Sequence, residues 1–285
     1  MSTPQTPVRV AVLDLYDNEP NEGMRAIREI LAASDRRYHG VPVTFDVFEA
    51  RYRAEVPGLD YDVYVSSGGP GSPFDGEGKP WETAYFNWLE RVWAHNSGTK
   101  DSKKYVFFIC HSFQMMCRFF ELGEVTQRRS PSFGILPVHL TEQGRKDWLF
   151  EGLPDPFYAA DFRSWQVVQP HRERLRRLGA RILALEKIRP HVDLERAVMA
   201  IRVSGEIVGT QFHPEADPPG MTKHFLKPER RAYVIEHHGE EKYRRILRRL
   251  QEPNALTRTH NAVLPNFIRH AVTNLRPEQA LRRVA

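Results

Sequence analysis

Short apolar runs alternate with longer helical patterns in the N-terminal half of the chain, and this alternation restricts the fold more than any other feature. Val8–Leu15 is an almost continuous apolar run, as expected for a strand buried on both faces of a parallel sheet. Val43–Phe48, Tyr61–Ser66 and Tyr105–Ile109 are further predicted strands. Because helical spacing separates or follows these runs, the order predicts an α/β fold with a doubly wound, mostly parallel sheet flanked by helices.

Helical patterns complete this alternation, and the second half of the chain shifts toward strands. Apolar residues recur at helical spacing over Asn21–Ala33, Trp81–Ala94 and His111–Phe120. After Gly134 short strand-like runs prevail, and the polar pair Ser204–Gly205 predicts a hairpin turn. The predicted strands of this half are Ile135–Leu140, Phe157–Asp161, Trp165–Val168, Arg181–Leu185, Ala197–Val203 and Glu206–Phe212.

Positive charge is concentrated in the last quarter of the chain. The formal net charge is +5, but residues 216–285 hold 14 Lys and Arg against 7 Asp and Glu. Apolar residues within Glu229–Leu250 follow helical spacing among these charges. We therefore expect one domain over residues 1–285, with a basic helical insertion at about 216–258 and a returning C-terminal helix at about 262–273.

The basic insertion is compatible with three interpretations. The favoured one is an amphipathic helix docked on the body, with its charged face in solvent. The second is a contact with a partner subunit or with a second copy of the chain. Nucleic-acid binding is the least favoured, since the segment has no basic motif interleaved with aromatic residues.

The composition also restricts the cellular setting. No run approaches the roughly 20 apolar residues that span a membrane, and the polar start of the chain has no secretory signal pattern. The two cysteines, Cys110 and Cys117, do not make a disulfide framework in a chain of 285 residues. We expect a cytoplasmic protein, and no spacing of ligand residues predicts a metal or a cofactor site.

One cysteine follows the most apolar predicted strand and begins a helical pattern. Cys110 comes directly after Tyr105–Ile109 and directly before His111–Phe120. A strand–cysteine–helix turn exposes the side chain above the sheet, and the helix N-terminus favours the thiolate. The position is equally suited to a small apolar residue that fills the sheet edge. Cys117 lies on the same helical face and is predicted to pack in the core.

Two further segments carry residues of the kind that assist a nucleophile. His213 lies at a predicted strand end, two residues before Glu215, where it could act as base to a thiol while the carboxylate orients its ring. A single histidine at such a place is more often structural. Ser66–Pro73 is a glycine-rich turn that could present backbone N–H groups to an oxyanion. Phosphate loops also use glycines, but the Lys–Ser/Thr pair of a P-loop does not follow here.

Together these segments resemble the class I glutamine amidotransferase family of the Cys-His-Glu triad type. The family's Gly-Gly-Pro-Gly turn corresponds to Gly68–Gly71, its Gly-x-Cys-x-Gly-x-Gln elbow to Phe108–Gln114, and its Gln-Phe-His-Pro-Glu segment to Gln211–Glu215. The resemblance extends in the family's order from about Val8 to Glu215, and Asn266–Ile268 looks like the family's last helix. It implies a flavodoxin-like α/β fold and hydrolysis of the glutamine side-chain amide.

The resemblance implies a catalytic role for each of three residues. Cys110 would attack the glutamine amide and form a glutamyl thioester. His213 would accept the thiol proton and later give a proton to departing ammonia, while Glu215 would orient the imidazole ring.

The resemblance also implies the groups that bind the substrate. The backbone N–H groups of Gly69 and His111 would form the oxyanion hole, and Gln114 and Gly68 would line the glutamine pocket. No cofactor is implied. Ammonia would pass to an unidentified acceptor, so a synthetase or acceptor subunit is the implied partner, with the insertion as its contact surface.

Three departures from the family pattern leave alternatives open. Phe108 and Ser112 replace both glycines of the elbow, and Phe108 implies a different local packing. Arg163–Val167 stands where the family usually has His-Gly/Ser-Asp-x-Val, so the groups that receive the amino-acid end of glutamine are not predicted.

The elbow sequence also favours a second family. Homoserine O-acyltransferases of the succinyl/acetyl type share the fold, the Cys-His-Glu site and the Phe-Ile-Cys elbow, so acyl transfer from acyl-CoA through Cys110 is an alternative. The Gly-Gly-Pro-Gly turn and the Gln-Phe before His213 favour the amidotransferase instead. A non-catalytic binding module on the same fold is a third alternative, disfavoured because drift readily loses one of three triad residues.

Overall fold

Nine strands in the described part of the chain form a single sheet. The computed structural model of the protein describes residues 6–33, 41–99, 102–190, 193 and 195–277. In chain order its strands are β1 (Val8–Leu13), β2 (Val43–Phe48), β3 (Val63–Ser66), β4 (Tyr105–Ile109), β5 (Glu124–Leu140), β6 (Phe157–Val168), β7 (Arg181–Glu186), β8 (Val198–Arg202) and β9 (Ile207–Thr210). They lie side by side in the order β2-β1-β3-β4-β9-β8-β7-β5-β6.

The sheet has a parallel part and an antiparallel extension. Strands β2, β1, β3, β4 and β9 run parallel to one another. Strands β8, β7, β5 and β6 continue the sheet with antiparallel pairing. Because β4 lies between β3 and β9, the residues that follow these three strands meet at the same carboxyl edge, where open α/β sheets bind ligands.

Helices cover both faces of this sheet. In chain order the helices of the described residues are α1 (Glu22–Ala32), α2 (Ala50–Arg53), α3 (Pro80–Gly98), α4 (His111–Phe119), α5 (Glu142–Arg145), α6 (Arg172–Leu178), α7 (Pro218–Leu226), α8 (Pro228–His238), α9 (Glu240–Gln251) and α10 (Leu256–Leu275). Apolar residues of α1 and α10 pack on one face of the sheet, and those of α3 and α4 pack on the other. A short 3₁₀ helix spans Trp148–Phe150. This architecture confirms the predicted α/β fold with a large, mostly parallel sheet flanked by helices. None of the helices in the described ranges is long and apolar enough to cross a membrane.

Helix α1 illustrates how the sequence pattern sets an element. The side chain of Asn21 caps its first turn by accepting a hydrogen bond from the backbone N–H of Met24. Glu22 adds a negative charge at the positive end of the helix dipole. Met24, Ile27 and other apolar residues at helical spacing are buried against the sheet.

Two strands are longer than their apolar pattern predicts. The structure has a continuous β6 where two pieces, Phe157–Asp161 and Trp165–Val168, are expected from the sequence. Strand β5 begins at Glu124, well before the predicted Ile135. The additional part of β5 is rich in polar residues. Its pairing with β6 covers Glu124–Gln127 and resumes at Ser132 after an irregularity, and it satisfies backbone groups in the paired stretches.

The basic segment folds as a helical layer on β5 and β6. Its predicted single helix is two helices, α8 and α9, which are separated at Gly239 because that residue has a φ of +83°. Val234, Ile246 and Leu250 are buried in an apolar cluster that includes Ile135 of β5. The final helix, α10, starts at Leu256, earlier than its apolar pattern suggests. The two ends of the predicted domain, residues 1–5 and 278–285, lie outside the described residues.

Candidate active site

Cys110 occupies a strained turn between β4 and α4. Its φ of 49° and ψ of −95° are uncommon for a residue other than glycine, and such conformations cost about 1–3 kcal/mol each. The backbone is held there because the Cys110 N–H donates to the Thr210 carbonyl at 2.8 Å, and the Cys110 carbonyl accepts from the Gln114 N–H at 3.1 Å. The side chain is 5% exposed and makes no capping bond to α4, so the sulfur is not engaged in holding the helix.

The residues that replace the two elbow glycines have distinct places. The Ser112 hydroxyl accepts a hydrogen bond from the Ile109 N–H at 2.8 Å and lies 2.8 Å from the Ser66 carbonyl, to which it donates. This hydroxyl therefore ties the elbow to β3. Phe108 is fully buried on the α3 side of the sheet, with its ring centroid 6.4 Å from that of Trp88.

His213 and Glu215 form a hydrogen-bonded pair directly after β9, with His213 partly exposed and Glu215 buried. The Nδ1 atom of His213 lies 2.8 Å from Oε1 of Glu215, whose side chain is 1% exposed. The His213 backbone N–H donates to the Ala160 carbonyl at 2.9 Å, which anchors the segment to β6. Burial lowers the pKa of His213, but the Glu215 carboxylate and the Cys110 sulfur outweigh burial and raise that pKa well above its usual value. The ring is thus favoured in its protonated form beside the sulfur.

Two buried glutamines form a hydrogen-bonded chain that ends at the Cys110 sulfur. Gln211 is fully buried, and its Nε2 donates to Sγ of Cys110 at 3.7 Å. Gln114 donates in turn from its Nε2 to Oε1 of Gln211 at 3.1 Å, and it is 3% exposed. The sequence pattern predicts a substrate contact for Gln114 but none for Gln211, although Gln211 belongs to the motif that contains His213. A donor to sulfur stabilises its negative charge.

The glycine turn packs so closely that two of its members have no room for a side chain. A Cβ on Gly69 would lie 2.5 Å from the Leu15 carbonyl oxygen, and one on Gly68 would lie 2.8 Å from Cε1 of His213. Arg51 fixes the turn by donating to the Pro70 carbonyl at 2.6 Å. Gly68 therefore lies behind the turn against the imidazole ring, and Gly69 lines the cleft with Cys110.

Two backbone N–H groups beside this cleft are available to a ligand. Helix α4 begins at His111, whose N–H belongs to the first turn and has no acceptor within the helix. For neither His111 N–H nor Gly69 N–H does the described part of the chain supply a backbone acceptor. The His111 ring is 1% exposed, and burial, with a smaller effect of Arg51, lowers its pKa to about 3. Its side chain is therefore neutral.

Tyr16 is a member of the site that the sequence does not indicate. Its hydroxyl would lie 3.1 Å from a Cβ on Gly68 and 2.8 Å from one on Gly23, and the Gly23 Cβ would also lie 3.2 Å from Oε1 of Glu215. Burial raises the pKa of Tyr16 well above its ordinary value, and Glu215 and Cys110 raise it further. The phenol is therefore a neutral polar group beside the His213–Glu215 pair.

The cleft above Cys110 has two lobes that meet at the sulfur. The His213 lobe has a volume of about 650 Å³ and is lined by His213, Glu215 and Tyr16 together with residues of α7 and α8. The Gln114 lobe has a volume of about 400 Å³ and is lined by His111 and Gln114. Six residues line both lobes: Gly69, Pro70, Cys110, Phe133, Phe162 and Tyr233.

The far wall of the Gln114 lobe carries a compensated charge. Arg163 lines this lobe in the segment where the family motif is not found. Its Nε donates to Oδ1 of Asp161 at 2.9 Å, and its Nη2 lies 3.5 Å from Oε2 of Glu186. The Ser132 hydroxyl donates to the other Asp161 oxygen at 2.6 Å. Since the carboxylates neutralise Arg163, the wall is polar but carries little net charge.

Cys110, His213 and Glu215, the three candidate catalytic residues from the sequence, lie next to one another. Cys117 lies elsewhere. Cys117 is fully buried in the apolar cluster on the α3 side, and burial raises the pKa of its thiol well above the ordinary value. Within the described ranges no group of three or more His, Cys, Asp or Glu residues is arranged to hold a metal ion.

Comparison with solved structures shows the same fold in several proteins. A glutamine amidotransferase from Thermotoga maritima matches with a TM-score of 0.66 at 18% identity, over 94% of this chain and 99% of that one. A glutamine amido transferase from Methylobacillus flagellatus matches with a TM-score of 0.61 at 16% identity, over 96% and 95% of the two chains. The glutaminase domain of a Trypanosoma brucei CTPS with bound acivicin matches with a TM-score of 0.52 at 14% identity, over 73% and 86%.

The sequence itself also identifies the family. No curated protein sequence matches the chain significantly. The sequence profile described as "Glutamine amidotransferase class-I" matches residues 24–231, which include Cys110, His213 and Glu215. This match covers more than half of the chain, so the protein belongs to the class I glutamine amidotransferase family.

Proposed function

We propose that the protein hydrolyses the side-chain amide of glutamine through a triad of Cys110, His213 and Glu215. The observation that carries the proposal is the hydrogen bond of 2.8 Å between His213 and Glu215, with the His213 pKa raised by both Glu215 and the neighbouring Cys110 sulfur against the lowering effect of burial. A base oriented by a carboxylate beside a strained nucleophile is the arrangement that acyl transfer requires.

In the first half of the reaction Cys110 attacks the amide carbon. His213 holds the thiol proton, so the sulfur attacks as a thiolate and the carbonyl oxygen becomes an oxyanion. The free N–H groups of Gly69 and His111 are proposed to stabilise this oxyanion, and removal of one such donor lowers the rate by about 10²–10³-fold. Collapse of the tetrahedral intermediate breaks the C–N bond, His213 gives its proton to nitrogen, and ammonia leaves.

In the second half water hydrolyses the glutamyl thioester. His213, now neutral, accepts a proton from the attacking water, while Glu215 stabilises the imidazolium that forms. The C–S bond then breaks and glutamate leaves with Cys110 restored as thiolate. Gln114 and Gly68 are proposed to shape the glutamine pocket, Gln114 along its wall and Gly68 by leaving room for the imidazole ring.

The proposed hydrolysis releases one ammonia for each glutamine consumed. We propose that it passes to an acceptor on a synthetase or acceptor subunit, in the cytoplasm, without a cofactor. One solved structure similar in fold is a putative GMP synthase component from Thermoplasma acidophilum, with a TM-score of 0.55 at 17% identity over 97% of this chain and 99% of that one. The basic insertion at about 216–258, which presents exposed Arg and Lys side chains, is the proposed contact surface for such a partner or for a second copy of the chain.

The test is ammonia release from glutamine by the purified chain and by its Cys110→Ala variant. The intact chain is expected to release ammonia and glutamate in equal amounts, and the variant is expected to be inactive with unchanged circular dichroism. Mass spectrometry after brief mixing should find a glutamyl group on Cys110. An acyl group taken from acyl-CoA instead would support the acyltransferase alternative, and full turnover by Cys110→Ala would refute the assignment of the nucleophile.

A further inference from the structure

The chemistry of the proposed triad assigns each lobe of the cleft to one part of the substrate. His213 lines only the larger lobe, whereas His111 and Gln114 line only the smaller one. Since His213 protonates the departing nitrogen, that nitrogen and whatever it carries must lie in the His213 lobe. The acyl part, whose oxygen faces the N–H of His111, lies in the Gln114 lobe.

The His213 lobe is far larger than an ammonia molecule requires. Its volume is about 650 Å³, whereas a molecule the size of water or ammonia takes up about 30 Å³. Pockets for small organic ligands measure about 300–1,000 Å³. The smaller Gln114 lobe, at about 400 Å³, is itself sufficient for a glutamyl group. The larger lobe therefore has the size of a pocket for a second organic group.

The charges of the His213 lobe indicate what this second group carries. Glu22 and Asp217 are paired with Arg25, at 2.5 Å and 2.7 Å. Lys227 and Arg230 also line the lobe, yet neither forms an ion pair with another side chain of the described ranges. Two such cations at the start of α8 are suitable partners for a carboxylate.

His224 also lines the lobe, and charges of both signs act on it. Burial lowers the pKa of His224, Arg230 and Lys227 lower it further, and Glu22 and Glu229 act in the opposite direction. Glu19 and Glu229 line the lobe as well and are not paired with a cation in the described ranges, so these four unpaired charges sum to zero. The lobe is therefore polar and disfavours a purely apolar group, and a carboxylate in it would depend on direct contact with Lys227 and Arg230.

We infer that the substrate of this site is an N-substituted glutamine amide, a γ-glutamyl conjugate whose amine carries a carboxylate, as in γ-glutamyl amino acids or short γ-glutamyl peptides. The inference rests on the proposed function. The thiolate of Cys110 attacks the γ-carbonyl, the C–S bond forms, and the C–N bond breaks as His213 transfers its proton to the amine. Water then supplies the oxygen of glutamate and returns a proton to His213, and the thiolate leaves. The net reaction consumes one water per amide and needs no oxidant or further reactant.

The test compares kcat/KM for glutamine, γ-glutamylglycine and γ-glutamylethylamide, using release of glutamate, the product common to all three, by the full chain. We expect γ-glutamylglycine to exceed glutamine by tenfold or more, and to exceed γ-glutamylethylamide by fivefold or more. Equal or higher kcat/KM for glutamine would overturn the inference and leave the proposed function intact. Equal values for the two substituted amides would overturn the carboxylate assignment. Glutamate release from none of the three by folded protein would refute the proposed function.

Two pairs of variants locate the effect in the His213 lobe. Met221 of α7 lines this lobe, whereas Leu226 of the same helix is 59% exposed and does not. Met221→Trp should fill the lobe and lower the ratio of kcat/KM for γ-glutamylglycine over glutamine by tenfold or more, and Leu226→Trp should leave that ratio unchanged. An unchanged ratio in both variants would refute the placement of the amine.

The second pair tests the cations. The double variant Lys227→Gln/Arg230→Gln should lower the preference for γ-glutamylglycine over γ-glutamylethylamide at least fivefold. Arg231→Gln removes a neighbouring exposed cation that does not line the lobe, and it should retain the preference. If both variants retain it, Lys227 and Arg230 do not bind the carboxylate.

Discussion

The buried ring of His111 should make the protein lose stability in mild acid. The ring is 1% exposed and its Nε2 has no hydrogen-bond partner within the described residues. Burial, with smaller effects of Arg51 and Arg118, lowers its pKa to about 3, although Asp75 acts in the opposite direction. In the unfolded chain the same imidazole has its ordinary pKa of 6.5.

The sign and the magnitude follow from proton uptake. As the pH falls below 6.5 the unfolded state binds a proton at His111, while the folded state stays unprotonated until about pH 3. Stability is therefore present above pH 6.5 and lost progressively as the pH falls toward 3. At pH 4.5 the unfolded state is favoured by about two pKa units, which corresponds to about 2–3 kcal/mol.

The measurement compares the wild type with His111→Asn, which cannot titrate in this range and keeps the backbone N–H. Urea unfolding followed by tryptophan fluorescence at pH 7 and pH 4.5 gives the loss of unfolding free energy for each protein. We expect the wild type to lose about 2–3 kcal/mol more than His111→Asn between the two pH values, because all other groups contribute equally to both.

A matched substitution controls for the change of residue type. His237→Asn is the control, because the His237 side chain is 49% exposed and a surface substitution usually changes stability by no more than about 0.5 kcal/mol. If His111→Asn and the wild type differ by less than about 0.5 kcal/mol, the usual scatter of surface substitutions, the ring is not held neutral by burial.

Three other substitutions test the remaining parts of the site. Glu215→Gln removes the carboxylate 2.8 Å from His213, so kcat should fall by about 10³–10⁴-fold. Because Glu215 raises the His213 pKa, the alkaline limb of the pH–kcat/KM profile should also move to lower pH. An unmoved limb would show that Glu215 does not control the His213 pKa. Gln211→Leu removes the N–H donor 3.7 Å from the Cys110 sulfur. It should slow alkylation of Cys110 by iodoacetamide at pH 7 by about 10–100-fold, with Cys110→Ala as the blank. An unchanged rate would contradict stabilisation of the sulfur by Gln211. Gly69→Ala puts a Cβ 2.5 Å from the Leu15 carbonyl oxygen. The free energy of unfolding in urea should therefore fall by about 1–3 kcal/mol, and glutamine turnover should fall at least about tenfold. Wild-type values for both would show that the turn accommodates a Cβ at residue 69.

Elements with a strong apolar period were predictable, and those stabilised by paired charges were not. The stripe of Met24 and Ile27 defines α1 within a residue of its observed ends. The first part of β5 contains Arg128, which reads as a loop residue in the sequence. In the fold Arg128 is buried because it pairs with Glu186 at 3.1 Å, a contact between strands that no local pattern encodes.

The same distinction applies to the candidate site. Cys110, His213 and Glu215 follow strand ends in a parallel sheet, so their convergence can be expected from their order in the sequence. Tyr16 comes from a loop, and Met221 comes from the layer of helices that packs on β5 and β6. Their positions depend on tertiary packing, so the shape and the size of the His213 lobe could not be predicted from motifs.

The central position of β4 in the sheet has a consequence for how the protein becomes active. Cys110 and His213 belong to neighbouring strands, β4 and β9, whose pairing aligns Ile109 with Thr210. Along the sequence, however, strands β5 to β8 of the antiparallel extension lie between them. Strand β9 can therefore pair with β4 only after a long segment of chain has closed into a loop, which is a slow step in folding. A nascent or partly folded chain in which β4 and α4 have formed therefore holds a cysteine without its base. Catalytic competence should appear late and all at once, which makes ammonia release a sensitive reporter of the last folding step.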